Sequence, residues 1–306
     1  MAEPEPDWLV ALPDRLHGPL RRAAAGLPAN VALMQLLMEC AEPGEAEIAL
    51  EEAIRQLRQR GQSAPAGRLT EALHLLQCNP QAFGVVRRTL GGLDHGRDTD
   101  ADAVDYWASA FDQAARTHPE GSVALYALGS AELLRAATDE VMARLQDWGL
   151  LSPEAHCLDI GCGIGRFEVA LAAHVRRIVG VDIAPAMVEE ARRRCADLPN
   201  VEIRQASGRD LSGFAAASFD LVLAVDCFPY IMQSGADLGQ SMIREAARVL
   251  RPRGRLVILN FSYRGDLDRD RADLKVFAAG AGLDVVRNGT SAFTLWDAPA
   301  FDLQKP

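Results

Sequence analysis

The sequence predicts an α/β protein in which a mostly parallel sheet is covered on both faces by helices and preceded by an all-helical segment. Three observations carry this reading. From Cys157 onward, short runs rich in Val, Ile and Leu (HCLDI, RIVGVDI, VEIRQAS, FDLVLAV, RLVILNF) alternate with amphipathic stretches such as PAMVEEARRRC and QSMIREAARVL. Strands alternating with helices build a parallel sheet buried on both faces. In the tail, GLDVVRNGTSAFTLWDAPAFDLQK joins two strand-like runs by only a few turn-forming residues. That link is too short for a parallel crossover, so the last strand is expected to run antiparallel. Residues 1–95, by contrast, carry helical periodicity broken by Pro and Gly.

Within that first segment, Leu50, Ile54 and Leu57 fall on one face of EIALEEAIRQLRQRG, and Gly61 is placed to end the helix. Leu69, Leu73 and Leu76 repeat the spacing, and Asn79 with Pro80 reads as a cap and first-turn pair opening a helix through Phe83 and Val86. GGLDHGRDTDAD, residues 91–102, has the glycine and aspartate content of a linker. The boundary is therefore placed there, with a helical domain over 1–95 and a second domain over 96–306. Two more helices follow it. Trp107, Phe111 and Ala114 share one face of the first, and Leu134, Ala137, Val141, Leu145 and Trp148 recur at helical spacing in the second. The N-terminal helices read either as a packing module, with a homodimer formed through them, or as a module that shapes a substrate entrance.

Composition narrows the function classes. The chain has 306 residues, 49% hydrophobic and 24% charged, which suits a globular protein. A formal charge of −10 argues against a nucleic-acid partner, because a surface that tracks phosphates needs clustered positive charge. The six cysteines show neither a CxxC pair nor Cys/His ligand spacing, so no disulfide framework and no metal site is expected. MAEPEPDW lacks the apolar core of a signal peptide, and no run reaches the roughly 20 apolar residues that span a bilayer. The expectation is a cytoplasmic protein with reduced thiols and no membrane contact.

The chemistry is concentrated in CLDIGCGIGRF, residues 157–167. Glycines at 161, 163 and 165 let the backbone turn sharply at the end of a strand and approach a ligand closely, before GRFEVALAAH continues as a helix. In a doubly wound sheet, ligands bind beyond the carboxyl ends of the strands. A dinucleotide fingerprint reads G-x-G-x-x-G, whereas here the spacing is G-x-G-x-G and Arg166 stands where the third fingerprint glycine belongs. Asp159 would repel a diphosphate and attract an ammonium or a sulfonium. Twenty-one residues after Gly161, GVDI brings Asp182 to the end of the second strand, where a carboxylate can accept both hydroxyls of a ribose. Adenosine with a positive charge and no phosphate describes S-adenosylmethionine.

On these residues the sequence resembles the class I S-adenosylmethionine-dependent methyltransferases. CLDIGCGIG is similar to their first motif and VGVDIAPAMVEEAR to the segment with the ribose-binding acid. ASFDLVLAVDCF is similar to the strand-four motif and RVLRPRGRLVI to the turn into strand five. The resemblance covers residues 120–306 and implies a seven-stranded doubly wound sheet of order 3-2-1-4-5-7-6 with an antiparallel final strand. It also implies that Asp159, Gly161, Cys162 and Gly163 surround the methionine part. Asp182 would bind the ribose, and Ile183 and Met187 would lie against the adenine. Ser207, Gly208 and Arg209 occupy the place of the family's acid-containing pair that reads the adenine edge, and the acid here comes late, at Asp210. Val225 and Asp226 would face the sulfonium and the acceptor.

DCFPY, residues 226–230, is the segment expected to touch the substrate. Asp226 is placed as a base or orienting acid, and Tyr230 as a wall or hydrogen-bonding group. Tyr126, ahead of a helix, is a candidate roof over the cofactor, since a sulfonium is attracted to an aromatic face. The resulting expectation is methyl transfer to a small-molecule acceptor by in-line displacement. A protein methyltransferase, a non-catalytic methyltransferase-like partner subunit and a nicotinamide (NAD) oxidoreductase remain as alternatives.

Overall fold

The computed structural model describes residues 6–91 and 102–306. The domain boundary expected near residue 95, and nearly all of the linker segment, lie outside the described residues. The chain opens with five helices, α1 (Asp14–Ala25), α2 (Ala29–Glu39), α3 (Glu45–Gln59), α4 (Ser63–Cys78) and α5 (Ala82–Leu90). After them come α6 (Ala103–Thr117), α7 (Pro119–Val123), a 3-10 turn at Leu125–Ala127 and α8 (Ala131–Asp147). The chain divides into two compact units, one formed by Met1–Asp94, Glu120–Ala137 and Thr294–Asp297, the other by the remainder.

In the first unit the leucine spacing read from the sequence does pack inward. Leu50, Leu57 and Leu69 are fully buried together with Leu16, Leu20, Leu33, Leu36 and Leu37. Asn30, also buried, donates through Nδ2 to the carbonyls of Tyr126 (3.1 Å) and Leu295 (2.8 Å), so one amide holds three distant segments of this unit. One detail of the sequence reading is corrected. Asn79 does not open the next helix: its Nδ2 donates to the Leu75 carbonyl at 2.9 Å and closes α4. This bond adds to those from the Asn79 backbone N–H to the Leu75 and Leu76 carbonyls (3.0 and 3.1 Å), and α5 starts at Ala82 with Gln81 before it.

The second unit is built on β1 (His156–Ile160), β2 (Arg177–Asp182), β3 (Val201–Gln205), β4 (Phe219–Val225), β5 (Leu250–Leu259), β6 (Asp284–Ser291) and β7 (Pro299–Gln304). Besides α6 and residues 138–147 of α8, its helices are α9 (Arg166–Leu171), α10 (Pro185–Arg194), α11 (Phe228–Gln233), α12 (Ala236–Val249) and α13 (Leu267–Ala281). The seven strands form one sheet in the order β3-β2-β1-β4-β5-β7-β6, with β7 antiparallel to both of its neighbours. The expected strand order and the antiparallel final strand are therefore both present. The apolar runs are buried as a parallel sheet requires: Leu158, Val179, Val222, Leu256 and Ile258 are each at most 2% exposed. Asp302 on β7 is fully buried and is held by Arg255 of β5 and Arg287 of β6. Unpaired, that charge would be costly to bury.

Strand order reverses between β1 and β4, which pair in parallel through Cys157↔Leu221 and Asp159↔Leu223. That reversal places the carboxyl ends of both strands beside one crevice, the topological switch point of the sheet. All six cysteines are free thiols. Among the described residues, no helix is long and apolar enough to cross a membrane, and no group of His, Cys, Asp or Glu residues is arranged to hold a metal.

Candidate functional site

The glycine loop leaves β1 with Gly161, Gly163 and Gly165 all in the left-handed region, at φ of 74°, 55° and 80°. Side chains are excluded here for a second reason. A Cβ on Gly161 would stand 2.4 Å from the Cys227 Cβ, and one on Gly165 would stand 3.1 Å from Ala191 of α10. Residues after β4 and on α10 thus press directly on the loop.

The loop's amide groups are already committed. Gly161 N–H and Cys162 N–H both donate to the Val181 carbonyl (2.8 and 3.0 Å). Gly165 N–H donates to the Cys162 carbonyl (3.1 Å), and Gly163 N–H donates to Asp182 Oδ2 (2.9 Å). A diphosphate cradle needs such amides pointing at the ligand. What the loop offers instead is carboxylate. Asp159 is 1% exposed, and neither of its oxygens meets a hydrogen-bond donor of the protein. Burial, more than any other influence, pushes its carboxyl up to about 7. A buried acid that no N–H, hydroxyl or cationic group of the protein meets, at the mouth of a phosphate-averse loop, fits a cationic ligand group.

Asp182 ends β2 beside this loop. Its Oδ1 accepts from Ala184 N–H and its Oδ2 from Gly163 N–H, both at 2.9 Å. Each oxygen keeps a lone pair for a further donor, so the carboxylate is oriented without being saturated. Ile183 follows it, with its Cγ2 2.7 Å from where a Cβ on Gly208 would lie; Gly208 has φ of 73°. Met187 is buried on α10. Ser207 Oγ accepts from the Arg209 N–H at 3.2 Å, while the Arg209 guanidinium pairs with Asp102 (2.7 Å) and Asp105 (3.5 Å) at the start of α6. The structure thus brings Asp159, Gly161, Cys162, Gly163 and Asp182 together, with Ile183 and Gly208 packed against each other beside them.

On the other side of the crevice, Val225 is buried at the end of β4 and Asp226 adopts φ of 57°, a left-handed conformation that a side chain rarely takes. Asn260, after β5, does the same at 68°. Such strain persists where the surroundings hold it, and here they do. Asp226 Oδ1 accepts from Asn260 Nδ2 and from the Tyr263 hydroxyl, both at 2.8 Å. Tyr230 lies in the same group, its hydroxyl 3.4 Å from that of Tyr263. Burial first, then the Asp226 charge, pushes the Tyr230 hydroxyl up, which keeps it a donor. Its ring is met edge-on by Trp107 and Phe111 of α6, with centroids at 4.7 and 4.8 Å. Asp112 of the same helix accepts from Ala186 N–H at the start of α10 (2.6 Å), so α6 is fastened over this end of the sheet.

Tyr126 belongs to the first unit, where its ring stacks on Trp296 at 5.5 Å. Sequence reasoning missed Glu168, Asn260 and Tyr263. For Asn260 and Tyr263 no local signal existed. For Glu168 there was one, a glycine inside the β2 strand, Gly180.

A doubly wound sheet with a glycine turn after β1 and an acid ending β2 defines a nucleoside-binding α/β domain. Residues 158–258 match the family described as a methyltransferase domain. Over 106 residues the chain is 38% identical to demethylmenaquinone methyltransferase of Tropheryma whipplei (strain Twist), an alignment covering 35% of this chain and 41% of that protein. Over 137 residues it is 32% identical to an S-adenosyl-L-methionine-dependent Diels-Alderase of Talaromyces variabilis, covering 42% and 44%. The chain thus spans about two fifths of the length of the first of these relatives. The crystal structure of magnesium protoporphyrin IX methyltransferase from Synechocystis PCC 6803 shares the fold, at a TM-score of 0.50 and 21% identity over 69% of this chain and all of that one. The matched residues, 158–258, run from β1 into β5 of the second unit.

Proposed function

We propose that this chain binds S-adenosylmethionine at the β1 and β2 ends and transfers its methyl group to a small-molecule acceptor placed beside Asp226 and Tyr230. The observation that carries the reading is Asp159, a buried carboxyl that no N–H, hydroxyl or cationic group of the protein meets, beside a loop whose amides are turned inward. Bound there, the cofactor supplies an electrophilic methyl on a sulfonium centre. The chain's own contribution is alignment: Asp182 fixes the ribose, Asp159 the positively charged amino-acid end, and the loop glycines the approach between them. Ile183 and Met187 line the adenine side, with Ser207, Gly208 and Arg209 at its edge. In-line transfer gains most from such positioning.

At the acceptor side, Asp226 is fixed by two donors, Asn260 and Tyr263, so it acts on an acceptor N–H or O–H as an orienting acid or a base. Tyr230, enclosed by Trp107 and Phe111, forms an aromatic wall that suits a compact organic acceptor. The Diels-Alderase relative favours a second reading in which the bound cofactor shapes a site for a rearrangement without giving up its methyl.

Asp182→Ala removes a charged acceptor and should weaken S-adenosylmethionine binding by about 1.5–3 kcal/mol, measured by calorimetry. Unchanged affinity would refute the ribose assignment. The transfer itself is read with methyl-labelled cofactor and a cell extract separated by size. Label is expected among small molecules; label in protein contradicts the acceptor class, and intact cofactor after turnover supports the second reading.

A further inference from the structure

Glu168, on α9, is fully buried, and neither of its carboxyl oxygens meets a donor of the protein. An acid is out of place there. The buried residues of α9 are Phe167, Glu168 and Leu171, so an acid stands in an otherwise apolar set. It fits only because residue 180 is glycine: a Cβ on Gly180 would lie 2.4 Å from Glu168 Oε1 and 2.9 Å from its carboxyl carbon. Gly180 is the β2 register partner of Asp159 on β1. Partners in a parallel pair direct their side chains to the same face of the sheet. The Glu168 carboxyl therefore occupies the place of the missing side chain next to Asp159, and the two buried acids face each other.

Two ionised carboxylates in contact have no donor between them and repel, so one proton stays with such a pair. The surroundings decide where it resides. Arg166 of α9 favours the ionised form of Asp159, while Asp182 of β2 disfavours it for both acids. The remaining titratable neighbours are thiols: Cys157 of β1, Cys162 of the loop, Cys195 after α10 and Cys227 after β4, all pushed up by burial and hence neutral.

We propose that Glu168 is a positioning residue that remains a protonated acid and donates its O–H to Asp159, and that a cationic ligand group completes the pair by expelling the proton held by Asp159. The inference rests on the proposed cofactor reading and names the group behind it. Before binding, in mildly acidic solution, both carboxyls are neutral. On binding, the Asp159 proton passes to the buffer, its carboxylate faces the ammonium of the amino-acid end, and Glu168 keeps its own proton. Gly180 is what makes room for this arrangement.

The test is calorimetric titration of the full chain with S-adenosylmethionine in buffers of different ionisation enthalpy, which counts protons released. Close to one proton per ligand should leave at pH 6 and close to none at pH 8.5, with S-adenosylhomocysteine, which has the same ammonium, giving the same count. Glu168→Gln keeps a neutral donor and should bind within twofold of the native chain. Glu168→Leu keeps the volume but loses the donor, so affinity should fall at least tenfold and proton release should extend to higher pH. Asp159→Asn should bind weakly with no release. Binding without proton release at pH 6, or Glu168→Leu indistinguishable from the native chain, overturns the inference and leaves the cofactor reading standing. Failure of the native chain to bind either compound overturns both. Circular dichroism of each variant confirms that the fold is intact.

Discussion

Gly161 shows how little freedom the site's residues have. Its φ of 74° suits glycine, and any Cβ would enter the Cys227 side chain, whose thiol donates to the Ile160 carbonyl at 2.8 Å. Gly161→Val should therefore abolish cofactor binding in calorimetry, and a variant that binds normally would place the loop's role elsewhere. Asp159, the glycines and Asp182 were legible in the sequence because each lies at a strand end within one short motif. Asn260 and Tyr263 were not. They reach Asp226 only because β4 and β5 are neighbours, with Val225 opposite Leu259, and register between strands is not written in local spacing.

The β1-turn-α9 and β2 elements work as one unit, and Gly180 joins them. Replacing it with Ala sets a Cβ against Glu168 Oε1 at 2.4 Å and the Cys162 Cβ at 2.9 Å. Overpacking of this kind costs about 1–3 kcal/mol. Combined with Glu168→Ala, which vacates that space, the same change should cost less than the two single losses added together. Chemical denaturation of the four proteins of the cycle measures this coupling. Strict additivity would mean that Glu168 does not lean on Gly180. The strands themselves were legible from their apolar runs, whereas the end of α4 was misread because Asn79 serves the helix before it rather than the one after.

Across the whole molecule the buried acids leave a signature in stability. Asp159, Glu168 and Asp182 are all pushed up by burial, so the folded chain holds protons that the unfolded chain has released. Stability then falls as pH rises from the ordinary carboxylate range toward the raised values, by about 1.4 kcal/mol per pH unit for each proton involved. Ion-paired surface acids act in the opposite sense. Glu190, held at about 2 by its arginine neighbours, completes its titration well below this window. Ligand-free protein should thus be more stable at pH 5 than at pH 7, and the Asp159→Asn, Glu168→Gln double variant should flatten the slope in denaturant titrations. The seven-stranded order was legible only through resemblance, because alternation of strands and helices fixes a parallel sheet but not the sequence in which its strands lie. All of this depends on the crevice welcoming a cationic nucleoside and repelling a diphosphate. The most direct test is calorimetric titration of the full chain with S-adenosylmethionine and with NADH under the same conditions. The structure predicts that the first binds with a Kd well below about 1 mM, a free energy stronger than about −4 kcal/mol, and that the second gives no binding heat; saturable binding of NADH with none of S-adenosylmethionine would contradict it.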